Sequence, residues 1–313
     1  MTASTTLPIS VAGGLPRRPS RLHRAILDWY DANGRRLPFR DTSDPWAVLV
    51  SEVMAQQTQI GRVGPAWERF IGRFPTPAAL AAATSADALR AWSGLGYNRR
   101  AVALRRSACL IVERHDGRVP DDLAALEALP GIGPYTARAV LALAFGRRVA
   151  PVDVNVRRVL TRLASPTAEQ MPARRLQALA DELAPARRPG DWSHAVMDLG
   201  ATVCRPEVPR CDGCPARPSC AFGASAERRP SPIASSRTGA VSFDRTSRWL
   251  RGTIVRRLAE AADGEWTVIE APIGGHDVRA VAAALRALKA EGLVETDREG
   301  RRARLSSSMV VAG

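Results

Sequence analysis

Apolar residues recur at helical spacing through most of the chain. Leu22, Ile26, Trp29 and Tyr30 fall on one face of a helix that Ser20 opens and Gly34 ends. Asp44-Pro45 pairs a capping side chain with proline at the first helical position, ahead of the apolar run Trp46-Ala47-Val48-Leu49-Val50. Further helical periods lie at 77–83, 85–93, 98–114, 121–128, 134–145, 154–164, 172–184 and 191–203. Strand alternation is nearly absent between 20 and 222, so this stretch is predicted as one mainly α domain. Residues 1–19 are rich in Ser, Thr, Pro and Gly and read as a flexible tail, and 223–248 reads as a linker. The remainder, 249–313, predicts a small winged-helix-like unit: a helix at 249–262, a second short helix, a helix at 277–291, and a two-stranded wing from Gly292–Glu295 and Arg301–Leu305.

A length of 313 residues suits about two domains, and 45% hydrophobic residues allow a sizeable core. The formal charge of +14 points to a polyanionic partner, most simply nucleic acid. Only one basic residue, Lys289, is a lysine; the other 44 of 45 are arginines. No run of about 18 apolar residues and no signal-like N-terminal stretch occurs, which disfavours membrane spanning and secretion. Of five cysteines, Cys109 stands alone in a helical period, whereas Cys204-x6-Cys211-x2-Cys214-x5-Cys220 packs four into 17 residues. In a chain of this kind such clustering points to a metal group rather than disulfides. Four soft thiolates in one loop suit either an iron–sulfur cluster or zinc, and the spacing leaves both open. The same loop carries Arg205, Arg210 and Arg217, cations that a shaped loop would hold against phosphates.

Leu129-Pro130-Gly131-Ile132-Gly133-Pro134 lies between two helical periods. Gly131 and Gly133 let the backbone turn sharply and present N–H groups to an anion at a helix N-terminus. Such a turn grips phosphate without reading sequence.

In order and spacing, this hairpin, Val152-Asp153-Val154-Asn155 and the cysteine loop together resemble the helix-hairpin-helix DNA glycosylase superfamily with a terminal [4Fe-4S] loop. Ser51-Glu52-Val53-Met54-Ala55-Gln56-Gln57-Thr58-Gln59 and Gly94-Leu95-Gly96-Tyr97 are similar to the adenine DNA glycosylases, the MutY family. The resemblance covers roughly residues 20–222. It implies two helical lobes, a [4Fe-4S] cluster on Cys204, Cys211, Cys214 and Cys220, and excision of adenine opposite 8-oxoguanine or guanine in duplex DNA. It also implies a monomer of bacterial type, cytoplasmic and nucleoid-associated. The family's usual tail domain is not recognisable, and the winged-helix-like unit stands in its place.

Two carboxylates suit that chemistry. Glu52 has Val48, Leu49, Val53 and Met54 as helix neighbours, and a carboxyl desolvated among apolar groups keeps its proton. Asp153 precedes a helix, where free N–H groups and the helix dipole favour the anion. Carboxyls pushed apart in this way form an acid with an anionic partner. The resemblance assigns Glu52 to protonating adenine at N7 and Asp153 to the cationic sugar, with Asn155 orienting the sugar or Asp153 and Tyr135 lining the pocket. It places Arg35, Leu37, Phe39 and Arg40 along the adenine, with Phe39 in place of the usual tryptophan. His194 replaces the family's glutamine or glutamate, and Gln57 and Tyr97 wedge into the stack that the base leaves.

Three rivals share parts of the pattern. An endonuclease III-like enzyme carries a lysine after the hairpin, where this chain has Tyr135. A thymine-mismatch glycosylase shares more of the pattern. A non-catalytic iron–sulfur DNA-binding protein using the winged unit would be expected to lose Glu52 or Asp153. With no lysine before Lys289, strand cleavage through a Schiff base is not expected.

Overall fold

A computed structural model describes residues 19–225 and 242–307. The tail read at 1–19, apart from Pro19, lies outside these residues, as do 226–241 of the linker. The described residues form two compact units, each assembled from separate stretches of chain. One combines the stretch through Arg36 with the stretch that starts at Leu141; the other joins Leu37–Val140 to the C-terminal stretch. No helix among the described residues is long and apolar enough to cross a membrane.

The first unit contains α1 (Pro19–Asn33), α9 (Val154–Ala164), α10 (Ala173–Leu183), α11 (Pro189–Thr202) and the short α12 (Ala221–Ala224). Helix α1 starts at Pro19, so Ser20 sits inside its first turn rather than capping it. Helices α9 and α11 pack so closely that a Cβ on Gly200 would come within 2.6 Å of the Asn155 Cβ. Next to α1, the Arg35 backbone N–H and guanidinium both donate to Asp198 of α11, a fully buried carboxylate.

The second unit holds α2 (Pro45–Ala55), α3 (Ile60–Arg73), α4 (Pro77–Ala81), α5 (Ser85–Ala91), α6 (Arg99–Arg114) and α7 (Leu123–Glu127). Helix α8 (Pro134–Leu143) begins here, and its residues from Leu141 belong with the other unit. Asp44 caps α2 as the sequence predicts, its carboxylate accepting from the Ala47 N–H at 2.8 Å. Helix α3 has no counterpart among the predicted elements. Its buried face of Val63, Ala66 and Phe70 is regular, but Gly61, Gly64, Pro65 and Gly72 break up the sequence signal.

The C-terminal part consists of α13 (Ser247–Glu260), β1 (Thr267–Val268), α14 (Val278–Ala290), β2 (Val294–Thr296) and β3 (Arg302–Leu305). The strands make an antiparallel sheet in the order β1-β3-β2, with Thr267 opposite Ala303 and Glu295 opposite Arg304. The predicted second short helix is therefore replaced by a strand and a turn. The β-branched pair at 267–268 adds an edge to the wing, while Pro272 and two glycines disfavour helix. Helix α14 buries Val281, Ala284, Leu285 and Leu288, one face at helical spacing.

Candidate functional site

The residues singled out above divide between the two units. In the second, Glu52 lies mid-way along α2 and is only 8% exposed, beside the buried Val48, Leu49, Val53 and Met54. The exposed polar stripe that its neighbours Ser51 and Gln56 could have marked is not what forms: Ser51 is buried as well, donating to the Val48 carbonyl at 2.8 Å. The C-terminal end of this helix is held by Arg100 of α6. Its guanidinium donates to the carbonyls of Val53, Met54 and Gln56 at 2.6–2.9 Å, to Thr58 Oγ1 at 3.0 Å and to the Gly96 carbonyl at 3.1 Å. A helix end leaves its last carbonyls without partners, and one buried cation satisfies three of them here. Burial pulls this guanidinium down to about 10. Sequence reasoning missed Arg100, because one arginine among 44 carries no local signal. Arg100→Ala should destabilise the protein by about 3 kcal/mol, the order expected for stranded carbonyls and lost charged hydrogen bonds; urea unfolding of the full chain checks it.

Beyond α2, Gln56 donates to the Gly131 carbonyl at 3.3 Å and to Thr136 Oγ1 at 3.2 Å, tying the Glu52 helix to the glycine hairpin. Gly131 has φ +80°, which its lack of a Cβ permits, and Ser107 braces the turn through the Pro130 carbonyl at 2.9 Å. Gly131 and Gly133 are both exposed, and Tyr135 is half-buried in the first turn of α8. Gln57 and Tyr97 line one cavity. Leu37 and Arg40 flank Phe39, which is 7% exposed and packs edge-on to Trp67 with ring centroids 6.4 Å apart. Phe39 is thus largely committed to the core.

In the first unit, Asp153 caps α9. One carboxylate oxygen accepts from the Val156 N–H at 2.7 Å and the other from Asn155 Nδ2 at 3.0 Å. Asn155 Oδ1 in turn accepts from Arg158 at 2.8 Å, and Arg158 donates onward to the carbonyls of Gly200 at 2.6 Å and Cys204 at 2.7 Å. A continuous run of hydrogen bonds therefore joins Asp153 to the start of the cysteine loop. Burial lowers the Arg158 guanidinium, partly offset by Cys204 and Asp153. His194 is half-buried on α11, its ring 6.4 Å from that of Tyr30; Arg35 is engaged with Asp198, as described.

Cys204, Cys211, Cys214 and Cys220 line a single cavity together with Arg162 and Phe222. Arg162 donates to the carbonyls of Arg205 and Pro206 at 2.7 Å, lies 3.4 Å from the Cys204 sulfur and covers the Phe222 ring at 5.0 Å. Burial pushes the Cys214 thiol up to about 11, and the other three cysteines add to the shift as like charges. Cys220 is raised for the same reasons. The four sulfurs are thus close enough to resist becoming thiolates together unless a cation is present, and this donor set fits a thiolate-ligated metal group. Among the described residues, no group of three or more His, Cys, Asp or Glu side chains stands in the arrangement of a single-ion site. Cys109 lies apart, half-buried on α6.

Residues 50–202 match a family described as HhH-GPD superfamily base excision DNA repair protein. The match takes in Glu52, the hairpin and Asp153 and ends two residues before Cys204. An adenine DNA glycosylase of Mycobacterium tuberculosis is 46% identical over 196 residues, which cover 61% of this chain and 64% of that protein. One from Mycolicibacterium smegmatis is 47% identical over 192 residues, covering 61% and 66%. The chain therefore spans less than two thirds of the length of these relatives. Among solved structures, a thermostable thymine-DNA glycosylase superposes with a TM-score of 0.62 at 28% identity, over 66% of this chain and 97% of that one.

Proposed function

Because the chain belongs to the HhH-GPD superfamily of base excision DNA repair proteins, and within it to the MutY-type adenine DNA glycosylases, we propose that it excises adenine mispaired with 8-oxoguanine or guanine from duplex DNA. The observation that carries this reading is Glu52, a carboxyl 8% exposed on an otherwise apolar stretch of α2. In this reading Glu52 gives its proton to adenine N7. The bond between sugar C1′ and adenine N9 then breaks, its electrons leave with the base, and positive charge develops on the sugar. Asp153, held by Val156 and Asn155, is the anion that offsets that charge. Water adds at C1′, and its proton returns to Glu52. Glycoside hydrolases divide labour between two carboxyls in a comparable way.

The donor chemistry of Cys204, Cys211, Cys214 and Cys220 supports a [4Fe-4S] cluster held by these four. When bound, such a group neutralises thiolate charge and fixes a loop whose Arg205, Arg210 and Arg217 meet phosphate. Protein purified without oxygen should be brown, with a broad absorption in the visible blue, and the colour should be lost in Cys214→Ala but kept in Cys109→Ala. A colourless chain holding one zinc would contradict this.

The reaction should stop at an abasic site. A lyase needs an amine that attacks the opened sugar. Residues 1–288 contain no lysine, Tyr135 follows the hairpin, and arginine stays protonated. With labelled duplexes carrying adenine opposite 8-oxoguanine, adenine opposite guanine, or thymine opposite guanine, we expect strand breaks at adenine only, and only after hot alkali. Borohydride trapping of the wild-type chain that is lost in Lys289→Ala would contradict the stop. Cleavage confined to the thymine mispair would favour the second reading, which the likeness to a thymine-DNA glycosylase supports.

A further inference from the structure

The second unit contains a cavity of about 620 Å³ between α13 and two turns, Gln57–Arg62 and Gly94–Arg99. Five arginines line it, Arg62, Arg99, Arg248, Arg251 and Arg256, and no carboxylate does. Glu291, at the end of α14, pairs with Arg251 and approaches Arg99 to 3.8 Å, so the cationic excess rests on Arg62, Arg248 and Arg256. Two rings are offered alongside. Phe243 is 56% exposed, and Tyr97 has Arg100 and Arg248 over its ring at 5.5 and 5.2 Å; Arg248 also lies 5.2 Å from the Phe243 ring and donates to the Tyr97 hydroxyl. Gln57 and Tyr97 hold φ of +54° and +47°, left-handed conformations that side-chain-bearing residues adopt at a cost. Strain of that kind collects where a side chain must be aimed at a ligand.

Cations for phosphate beside rings for a base are the chemistry of single-stranded nucleic acid binding. The volume falls in the range of pockets for one ligand, about 300–1,000 Å³, too small for stacked base pairs. We propose that this groove seats one unpaired nucleotide of duplex DNA, the one left without a partner when the base across the helix is extruded. Arg248 and Arg256 take its phosphates, and Tyr97 and Phe243 take its base. The C-terminal part thereby contributes to DNA recognition through α13, not through α14 as a winged helix would. This rests on the DNA repair reading above and adds a site to it.

The test compares the full chain with Arg248→Ala/Arg256→Ala and with Phe243→Ala, by fluorescence anisotropy on a duplex with a single-nucleotide bulge and on the fully paired duplex. Wild type should prefer the bulge about tenfold or more. The double variant should lose that preference while its affinity for paired DNA changes less than about threefold, and its salt slope on the bulged duplex should fall by about 1.4, near 0.7 per single-strand phosphate contact. Phe243→Ala should lose most of the preference with no change in slope. Arg248→Gln/Arg256→Ala carries the same expectation as the double alanine variant. Equal losses on both duplexes, or none, would overturn the proposal. So would wild type that binds an oligoglutamate peptide without preferring the bulge, which assigns the groove to an acidic protein segment. Adenine release by wild type is read separately: release without bulge preference sinks this site alone, and bulge preference without release sinks the glycosylase reading alone.

Discussion

Glu52→Gln should cut adenine release by roughly 10²–10⁴-fold while leaving duplex binding within about twofold, the range for loss of a general acid. Glutamine keeps the size of the side chain and its hydrogen-bonding capacity, but it has no acidic proton to give. The substitution sits in α2, whose ends are held independently by Asp44 and by Arg100, so the helix should persist. Affinity for duplex should come mainly from arginine–phosphate contacts, which the change does not touch. Single-turnover release on an adenine·8-oxoguanine duplex, alongside anisotropy with the same duplex, separates the two effects. Near-normal release would remove Glu52 from the role of acid.

Asp153→Asn should lower release by about 10²–10³-fold, the magnitude found when one group that stabilises developing charge is removed. The variant is informative because asparagine is as good an N-cap as aspartate. Its amide oxygen can still accept from the Val156 N–H, so α9 should form. What changes is the charge, and also the far side of the carboxylate. There Asn155 Nδ2 now donates to an oxygen, and in the variant it would meet an NH₂ group. The expected result is a folded protein with a melting temperature near wild type and little base release. If Asp153→Asn releases adenine at a rate close to wild type, Asp153 is only a cap.

Elements set by local chemistry were legible in the sequence. Asp44 before Pro45 and Asp153 before Val154 were readable as caps because the capping partner is three residues away. The gathering of Cys204, Cys211, Cys214 and Cys220 was readable because one short loop has few ways to place four thiols. Contacts made at long sequence separation were not legible. Arg100 reaches carbonyls 44–47 residues away, and Arg158 reaches the Cys204 carbonyl across 46. Neither leaves a periodic trace, and in a chain with 44 arginines residue type alone singles out none of them. Helix α3 was hidden for the opposite reason: its apolar face is regular, but three glycines and a proline outweigh it in any local reading. The discontinuous units were also beyond a reading along the chain, since Leu37–Val140 groups with the C-terminal stretch and not with its immediate neighbours.

The central claim concerns which base leaves. Incubating the full chain with duplexes that carry adenine opposite 8-oxoguanine or thymine opposite guanine, and identifying the free base by mass spectrometry, tests it most directly. The account predicts free adenine from the first duplex, none from the same duplex with Glu52→Gln, and no thymine from the second. Free thymine without free adenine, or adenine release undiminished in Glu52→Gln, would contradict it.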